Sequence, residues 1–370
     1  MRQAPITRSP DSSAGELIVR VKLVVSLALA LLLVACSPNG DNLPQLGIDI
    51  DQTSVSGLSG GAYMAGQLQV AHSNHIVGAG LVAGGPYGCA ETPGIELIPT
   101  AARNFTRALE GCMSDKLKAE GIPDIRDLAE HAEDLAEDGS IDPLSGLDKD
   151  RVYLFSGDKD PVVARSVVEA AQLFYREVGV PAANITLVTR PDAGHTFLTV
   201  DTGNACEATA SPFLSDCDYD QAGGILKQIY GELRGPGPQK EGEYVVVDQS
   251  RFASGLGHGL SNEGVVYIPK SCAEKVGCRL HIALHGCEQN RDTVGMKFVE
   301  GSGFARWADA NRLVVLFPQV SANPVLNPKG CWDWWGYTGK DYLTKDAPQI
   351  SAIWKMAERL AEQPVAKATR

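Results

Sequence analysis

The sequence predicts an α/β fold with a mainly parallel central sheet flanked by helices, and three observations lead to it. Short runs rich in apolar and β-branched residues recur along the chain, as in strands that are buried on both faces of a parallel sheet. Segments with helical periodicity lie between these runs. A G-x-S-x-G motif directly follows the first run, where it predicts a tight turn from strand to helix.

The predicted elements alternate along the chain. The strands are 48–56, 76–83, 152–155, 185–189, 244–247, 265–268, 280–284 and 313–317. The helices are 61–72, 162–178, 222–233, 304–311 and 349–362. The Gly/Pro-rich stretch 235–242 fits either a domain boundary or a surface connection inside one domain.

Composition excludes several classes of protein. The 370 residues are 44% hydrophobic and 21% charged, which is typical of a globular protein rather than a disordered or coiled-coil chain. Lysine and arginine number 33 against 45 aspartates and glutamates, which gives a formal net charge of -12. Because nucleic-acid binders track phosphates with basic residues, we expect no nucleic-acid partner.

The N-terminal region has the pattern of a bacterial export signal. Residues 23–35 read LVVSLALALLLVA, which is too short for a membrane-spanning helix, and basic residues precede this stretch. The long basic region leaves open a true start downstream of Met1. The stretch ends Leu-Val-Ala-Cys36, which resembles the lipobox of lipoproteins. We predict a lipoprotein-type signal over 1–35 and a tether over 36–44, and a plain secretory signal is the alternative.

Lipidation of Cys36 would make a membrane the protein's partner and place it on the outer membrane or the cell surface. Without lipidation the protein would be secreted or periplasmic. The other eight cysteines form an even set in an oxidising compartment, so disulfides are expected. No cysteine or histidine cluster has the spacing of a zinc site, and neither a metal nor a cofactor is predicted.

The strongest chemical motif is Gly57-Leu-Ser59-Gly60-Gly61. A strand-like run precedes it and a helical segment follows, which is the setting that a nucleophile elbow requires. Glycines at both ends would let strand and helix approach closely around a strained serine. We predict that Ser59 is the nucleophile; a glycine-rich turn with an incidental serine is the alternative.

A serine nucleophile needs a general base and an acid that orients it. His195 lies in the loop directly after strand 185–189, where α/β-hydrolases carry their base. Asp158 and Asp160 both follow strand 152–155, and the G-x-x-D-x-x-V spacing favours Asp160 as the acid. Asp158 is expected to cap or hydrogen-bond the turn.

The order Ser59, Asp160, His195 matches that of α/β-hydrolases, but Ser59 follows the first strand instead of several. The missing strands occur after the base, between 244 and 317. We therefore predict a circularly permuted α/β-hydrolase fold in a single domain over 45–370. The stretch 235–242 would bridge the old termini.

The chain resembles the esterase family of poly(3-hydroxybutyrate) depolymerases, in its circularly permuted single-domain branch. The matching pieces are Gly57-Leu-Ser-Gly-Gly-Ala-Tyr-Met64, Leu284-His-Gly-Cys-Glu-Gln289, Phe317-Pro-Gln319 and Gly330-Cys-Trp-Asp-Trp-Trp-Gly336. The resemblance implies a triad of Ser59, Asp160 and His195. It also implies an oxyanion hole formed by the backbone N–H groups of Gly60 and Cys287. No appended substrate-binding domain is expected, so a solid polymer would adsorb to the catalytic domain itself.

The same pieces bring aromatic residues and cysteines together. Trp332, Trp334, Trp335 and Tyr337 either pack as a core under the site or form an apolar cleft wall for a polyester chain. Cys287 and Cys331 lie in two family motifs that must meet near the site, so we predict that they pair and brace the oxyanion loop. Short spacings favour Cys206–Cys217 and Cys272–Cys278, which leaves Cys89–Cys112.

The leading hypothesis is an exported, monomeric serine esterase that cleaves short-chain poly(3-hydroxyalkanoate) or its oligomers through an acyl-enzyme on Ser59. A feruloyl or acetyl-xylan esterase is the alternative with the same chemistry. A catalytically silent lipoprotein that uses the fold as a binding module is the alternative of another class.

Overall fold

The computed structural model describes Met1 and residues 43–92, 100–114, 121–237 and 241–364. By its internal contacts the chain divides into Met1–Asn42 and Leu43–Arg370, and every element below belongs to the second unit. All of the predicted signal except Met1, together with Cys36 and most of the predicted tether, lies outside the described residues. Within the described ranges, no helix is both long and apolar enough to cross a bilayer.

The strands and helices of the described residues alternate as the sequence predicts. The strands are β1 Thr53–Leu58, β2 Ile76–Val82, β3 Arg151–Gly157, β4 Ile185–Arg190, β5 Phe197–Thr199, β6 Asn204–Ala205, β7 Leu214–Asp216, β8 Glu243–Asp248, β9 Glu263–Ile268, β10 Arg279–Leu284 and β11 Leu313–Phe317. The helices are α1 Gly60–Ala71, α2 Thr100–Gly111, α3 Ile125–Glu137, α4 Arg165–Glu177, α5 Gln221–Tyr230, α6 Lys270–Glu274, α7 Arg291–Val294, α8 Lys297–Gly301, α9 Phe304–Asn311 and α10 Pro348–Ala361. Each predicted strand and helix has its counterpart here.

The central sheet has the order β4-β3-β2-β1-β10-β11-β9-β8. Strand β9 runs antiparallel to both of its neighbours, and the other pairings are parallel. Chain order therefore starts with β1 in the middle of the sheet, runs to β4 at one edge, and fills the other half only with β8 to β11. This is the predicted α/β-hydrolase fold with permuted connectivity.

The segment before β1 lies beside the end of α10. The backbone N–H groups of Leu46 and Gly47 donate to the carbonyl oxygens of Leu360 and Glu362 at 3.0 and 2.9 Å. Helix α10 thus ends where the segment that leads into β1 begins, which is the junction expected of a permuted chain.

The core explains why the strands read as continuous apolar runs. All residues of β1 and β11 are buried, because helices cover both faces of the sheet. Helix α1 is buried on every side and lacks a polar face, as expected for a helix in the middle of a domain. The G-x-S-x-G motif therefore lies between two fully buried elements.

A second, small sheet has the order β5-β7-β6 and follows the loop of His195. The sequence did not predict it, because strands of two or three residues carry no readable periodicity. Its position matters for the site, since β5 begins two residues after His195.

Candidate active site

The predicted site residues come from neighbouring strands and meet at one edge of the sheet. Ser59 follows β1, Asp160 follows β3, His195 follows β4, and Cys287 follows β10. These strands are parallel, so their carboxyl ends lie along the same edge, where open α/β sheets bind ligands.

Ser59 occupies the strained turn that a nucleophile elbow requires. Its φ of 56° and ψ of −120° lie outside the regions that L-residues favour. A Cβ on Gly57 would lie 2.2 Å from the Gly61 carbonyl oxygen, and a Cβ on Gly61 would lie 2.4 Å from the His285 carbonyl oxygen. Both glycines are therefore needed for strand, helix and the β10 loop to approach. The Ser59 side chain is held at a fixed point between them.

His195 and Asp160 form a buried pair. The His195 Nδ1 lies 2.7 Å from the Asp160 Oδ2, and the two side chains are 7% and 1% exposed. The other carboxylate oxygen accepts the N–H groups of Val162 and Val163, at 2.7 and 2.9 Å. This arrangement fixes the carboxylate and leaves the imidazole Nε2 for another partner.

The backbone of His195 is also held by a hydrogen bond. The His195 N–H donates to the Thr209 hydroxyl at 2.9 Å. Within the described ranges, the Ser59 hydroxyl makes no direct hydrogen bond to His195. Such bonds are often long before substrate binds and tighten in the complex.

Asp158 does not cap the turn, so that prediction is wrong. Its carboxylate pairs with Arg165 and is 40% exposed. Asp160 makes the turn-closing bonds instead, because its Oδ1 accepts from the backbone N–H groups of Val162 and Val163, in the turn before α4. One buried carboxylate therefore both closes the turn and orients the imidazole.

The two oxyanion-hole candidates lie next to each other. A Cβ placed on Gly60 would lie 3.1 Å from the Cys287 Sγ, so Gly60 packs closely against the Cys287 side chain. Among the described residues, neither the Gly60 N–H nor the Cys287 N–H donates a hydrogen bond to the protein. Gly60 opens α1, where the first N–H groups have no helical acceptor. Both donors are thus free to bind an anion.

The structure joins the eight cysteines into the four predicted pairs, which are Cys89–Cys112, Cys206–Cys217, Cys272–Cys278 and Cys287–Cys331. Cys287–Cys331 links the loop after β10 to the loop 330–337, which carries three tryptophans. Its position against Gly60 is the arrangement expected of a brace for the oxyanion loop.

The four predicted aromatic residues differ in their surroundings. Trp332 has no exposed surface and donates its indole N–H to the His285 carbonyl at 3.1 Å, so it is a core residue. Trp334 stacks on Tyr63 with ring centroids 4.2 Å apart, and Trp335 and Tyr337 continue the cluster. The Trp334 indole N–H has no acceptor and lies beside Gly60.

Asp333 holds this loop in shape and was missed by the sequence reasoning. Its buried carboxylate accepts from the backbone N–H groups of Gly336, Tyr337 and Thr338, and from the Thr338 hydroxyl. Burial raises the pKa of Asp333, and these donors oppose that shift. A lone aspartate among three tryptophans was the available signal, since a buried carboxylate must be hydrogen-bonded.

His285 is the neighbour that could be mistaken for the base. Burial lowers its pKa to about 4, so the ring is neutral at neutral pH. Its Nδ1 contacts the Gly286 carbonyl oxygen at 2.7 Å, and its Nε2 accepts the Val320 N–H at 3.3 Å. Both ring nitrogens are therefore engaged in shaping the loop.

A cavity of ≈ 360 Å³ lies elsewhere, between the end of β5 and α9, and its lining includes Asp201, Ser302 and Arg306. None of the predicted site residues lines it. The candidate site is instead the sheet edge at the carboxyl ends of β1, β3, β4 and β10.

Comparison with known proteins agrees with this geometry. A poly(3-hydroxybutyrate) depolymerase of Delftia acidovorans is 40% identical over 339 residues, which are 90% of this chain and 64% of that protein. A polyhydroxybutyrate depolymerase of Talaromyces funiculosus is 33% identical over 348 residues, which are 89% of this chain and 95% of that protein. The chain belongs to the polyhydroxybutyrate depolymerase family. The predicted family resemblance is thus confirmed.

Solved structures of polyhydroxybutyrate depolymerases share the fold. The crystal structure of the enzyme from Penicillium funiculosum has a TM-score of 0.77 and 31% identity, and the match covers 87% of this chain and 99% of that one. A serine-to-alanine variant of such a depolymerase, complexed with an R3HB trimer, has a TM-score of 0.75, 32% identity and the same coverage. No family model matches the chain. The predicted fold is confirmed.

Proposed function

We propose that this protein is a serine esterase that hydrolyses short-chain poly(3-hydroxyalkanoate), such as poly(3-hydroxybutyrate), or its oligomers. The observation that carries the proposal is the buried His195–Asp160 pair at the same sheet edge as the strained Ser59 turn. Relatives named for this polymer, and a related variant complexed with an R3HB trimer, support the substrate class. The chain spans 64% of the Delftia relative, so the longer protein's activity is itself part of the proposal.

The reaction follows from the positions of these groups. The Ser59 hydroxyl would attack the ester carbonyl while the His195 Nε2 takes its proton, and Asp160 would stabilise the resulting imidazolium. The oxyanion would accept hydrogen bonds from the N–H groups of Gly60 and Cys287, each worth about 3 kcal/mol in such sites. His195 would then protonate the leaving alcohol, and water would hydrolyse the acyl-enzyme.

An apolar chain fits the surroundings of the serine. Trp334 lies beside Gly60, and Trp335 packs against Trp334 with ring centroids 5.6 Å apart. Phe105 packs against Trp335 and is 46% exposed, and Leu109 on the same helix is 45% exposed. These side chains would let a solid polyester contact the catalytic domain directly. Trp332 would support the wall from beneath.

Export is the remaining part of the proposal. The four disulfides fit an exported protein, since such bonds persist in oxidising compartments. We infer that Cys36 carries a lipid anchor, from the Leu-Val-Ala-Cys pattern. A tethered enzyme would favour soluble oligomers over granules, and equal rates on polymer film and on trimer would count against that preference.

Two experiments test the function. Hydrolysis of a soluble short acyl ester should be abolished by Ser59→Ala, with the thermal midpoint unchanged, because only the attacking oxygen is lost. An inactive wild type would instead favour a binding module. Clearing of a poly(3-hydroxybutyrate) suspension, with no ferulate or acetate released from xylan, would distinguish the polyester enzyme from a carbohydrate esterase.

A further inference from the structure

Gln289 lies between the loop that carries an oxyanion donor and the segment that follows the base. The side chain is buried, with 1% of the residue exposed. Its Oε1 accepts the backbone N–H of Gly286 at 2.7 Å. Gly286 directly precedes Cys287, so this bond sets the path of the backbone that presents the Cys287 N–H.

The other end of the same amide reaches the small sheet. The Gln289 Nε2 donates to the carbonyl oxygens of Pro212 and Phe213, at 2.9 and 3.0 Å. The Phe213 carbonyl also accepts the N–H of Phe197, two residues beyond His195, at 3.0 Å. One side chain therefore joins the loop after β10 to the segment 212–213, which is itself hydrogen-bonded to the start of β5.

The link depends on the hydrogen-bonding groups of a side-chain amide. An amide offers one acceptor and two donor hydrogens, and Gln289 uses its oxygen and both directions of its NH2 group on backbone atoms. Buried, fully satisfied amides of this kind hold a single geometry, because any rotation would leave polar groups without partners. The two segments belong to distant parts of the sequence, so nothing local fixes their spacing.

Resting on the proposed esterase function, we propose that Gln289 is a positioning residue that holds the Cys287 N–H in register with His195. It acts through backbone groups and not on the substrate. A displacement of about 1 Å between the oxyanion donor and the base can cost about 100-fold in rate. Loss of the link should therefore lower kcat while leaving substrate binding nearly unchanged.

Gln249 provides the matched control. It is also a buried glutamine that bonds only backbone atoms, with its Nε2 donating to the carbonyls of Ser261 and Gln319 and its Oε1 accepting the Gln319 N–H. We would compare Gln289→Met and Gln249→Met on p-nitrophenyl butyrate. We expect similar drops in thermal midpoint, but a fall in kcat of about 100-fold only for Gln289→Met, with KM within about threefold.

The Gln289→Glu variant tests the two ends of the Gln289 side-chain amide separately. A glutamate keeps an oxygen for the Gly286 N–H but cannot donate to Pro212 and Phe213, so we expect kcat to fall as it does in the methionine variant. Wild-type kcat in Gln289→Glu would overturn the link to the base segment. A loss of activity no larger than that of Gln249→Met, or one explained by a smaller folded fraction, would overturn the positioning role. A wild type inactive on the ester would instead contradict the proposed function.

Discussion

At the scale of single residues, Asp160 performs two tasks that the sequence predicts for two separate aspartates. One oxygen closes the turn and the other holds the imidazole. Because both lone-pair directions are used, the carboxylate cannot rotate away from His195. The neighbouring Asp158 differs, because its ion pair with Arg165 is exposed and contributes little to the stability of the fold.

Asp160→Asn should lower kcat by about 10⁴-fold while the fold is kept, because an amide no longer enforces the productive tautomer of the imidazole. Steady-state hydrolysis of a soluble ester measures this effect. Asp158→Asn is the control on the same loop, and its kcat should stay within about twofold of the wild type. Equal losses in the two variants would show that the loop as a whole, and not the Asp160 carboxylate, is what matters.

A second residue-scale prediction concerns stability. Asp150 is buried, and its Oδ2 accepts from the Gln69 Nε2 at 2.7 Å. Burial raises the pKa of Asp150 to about 7, whereas an exposed aspartate titrates near 3.8. The folded protein therefore binds a proton that the unfolded chain has released. The stabilisation linked to protonation of Asp150 is complete below about pH 4, where both the folded and the unfolded chain hold the proton. It is lost as the pH rises towards 7.

Asp150→Asn mimics the protonated carboxyl and should lack this dependence. Denaturant unfolding of both proteins between pH 5 and pH 8 measures the difference in their free energies of unfolding. We expect that difference to move steadily in favour of the asparagine variant as the pH rises. Parallel curves across this range would contradict a raised pKa for Asp150.

At the scale of elements, the Cys287–Cys331 bond joins two loops that lie 44 residues apart in sequence. Chain entropy predicts about 4 kcal/mol of stabilisation for a loop of this size, and about 2 kcal/mol for a loop of the size that Cys272–Cys278 closes. The longer bond touches Gly60, whereas the shorter one joins α6 to the residue before β10.

Removing each bond separates stability from catalysis. Cys287→Ala with Cys331→Ala should lower both the thermal midpoint and kcat, because the oxyanion loop loses its brace. Cys272→Ala with Cys278→Ala should lower the midpoint alone. Calorimetry and ester hydrolysis on both variants measure these effects, and unchanged kcat in the first variant would show that the loop is held without the disulfide.

At the scale of the whole molecule, the permuted connectivity places the two halves of the site in reverse order along the chain. The strands that carry Ser59, Asp160 and His195 come first, and β10, whose loop carries Cys287, follows 231–242. The start of β1 and the end of α10 are hydrogen-bonded neighbours, so a short linker could join them. The order of the strands in the sheet does not depend on where the chain termini lie.

A variant that starts at Pro238 and joins residue 364 to residue 43 through a short Gly/Ser linker restores the usual strand order. We expect it to fold with a similar thermal midpoint and to hydrolyse the soluble ester at a similar rate, because every strand pairing is kept. An insoluble or inactive product would show that the natural position of the termini is needed for folding.

The sequence by itself predicted the fold because its strands are continuous apolar runs and its helices are periodic, and both are local signals. The glycines around Ser59 and the order of the motifs were enough to predict a permuted hydrolase. The strands of the small sheet are too short to carry a readable period, and helices α2 and α3 were not assigned to the fold.

Only the tertiary structure decided the roles that depend on contacts between distant segments. It showed that Asp160 pairs with His195, that Trp332 is a core residue bonded to the His285 carbonyl, and that Gln289 joins two loops of the site. The physical reason is that a buried polar group is defined by its partners, and these partners lie up to 77 residues away in sequence. Local patterns specify elements, whereas the packed sheet edge specifies which side chains meet.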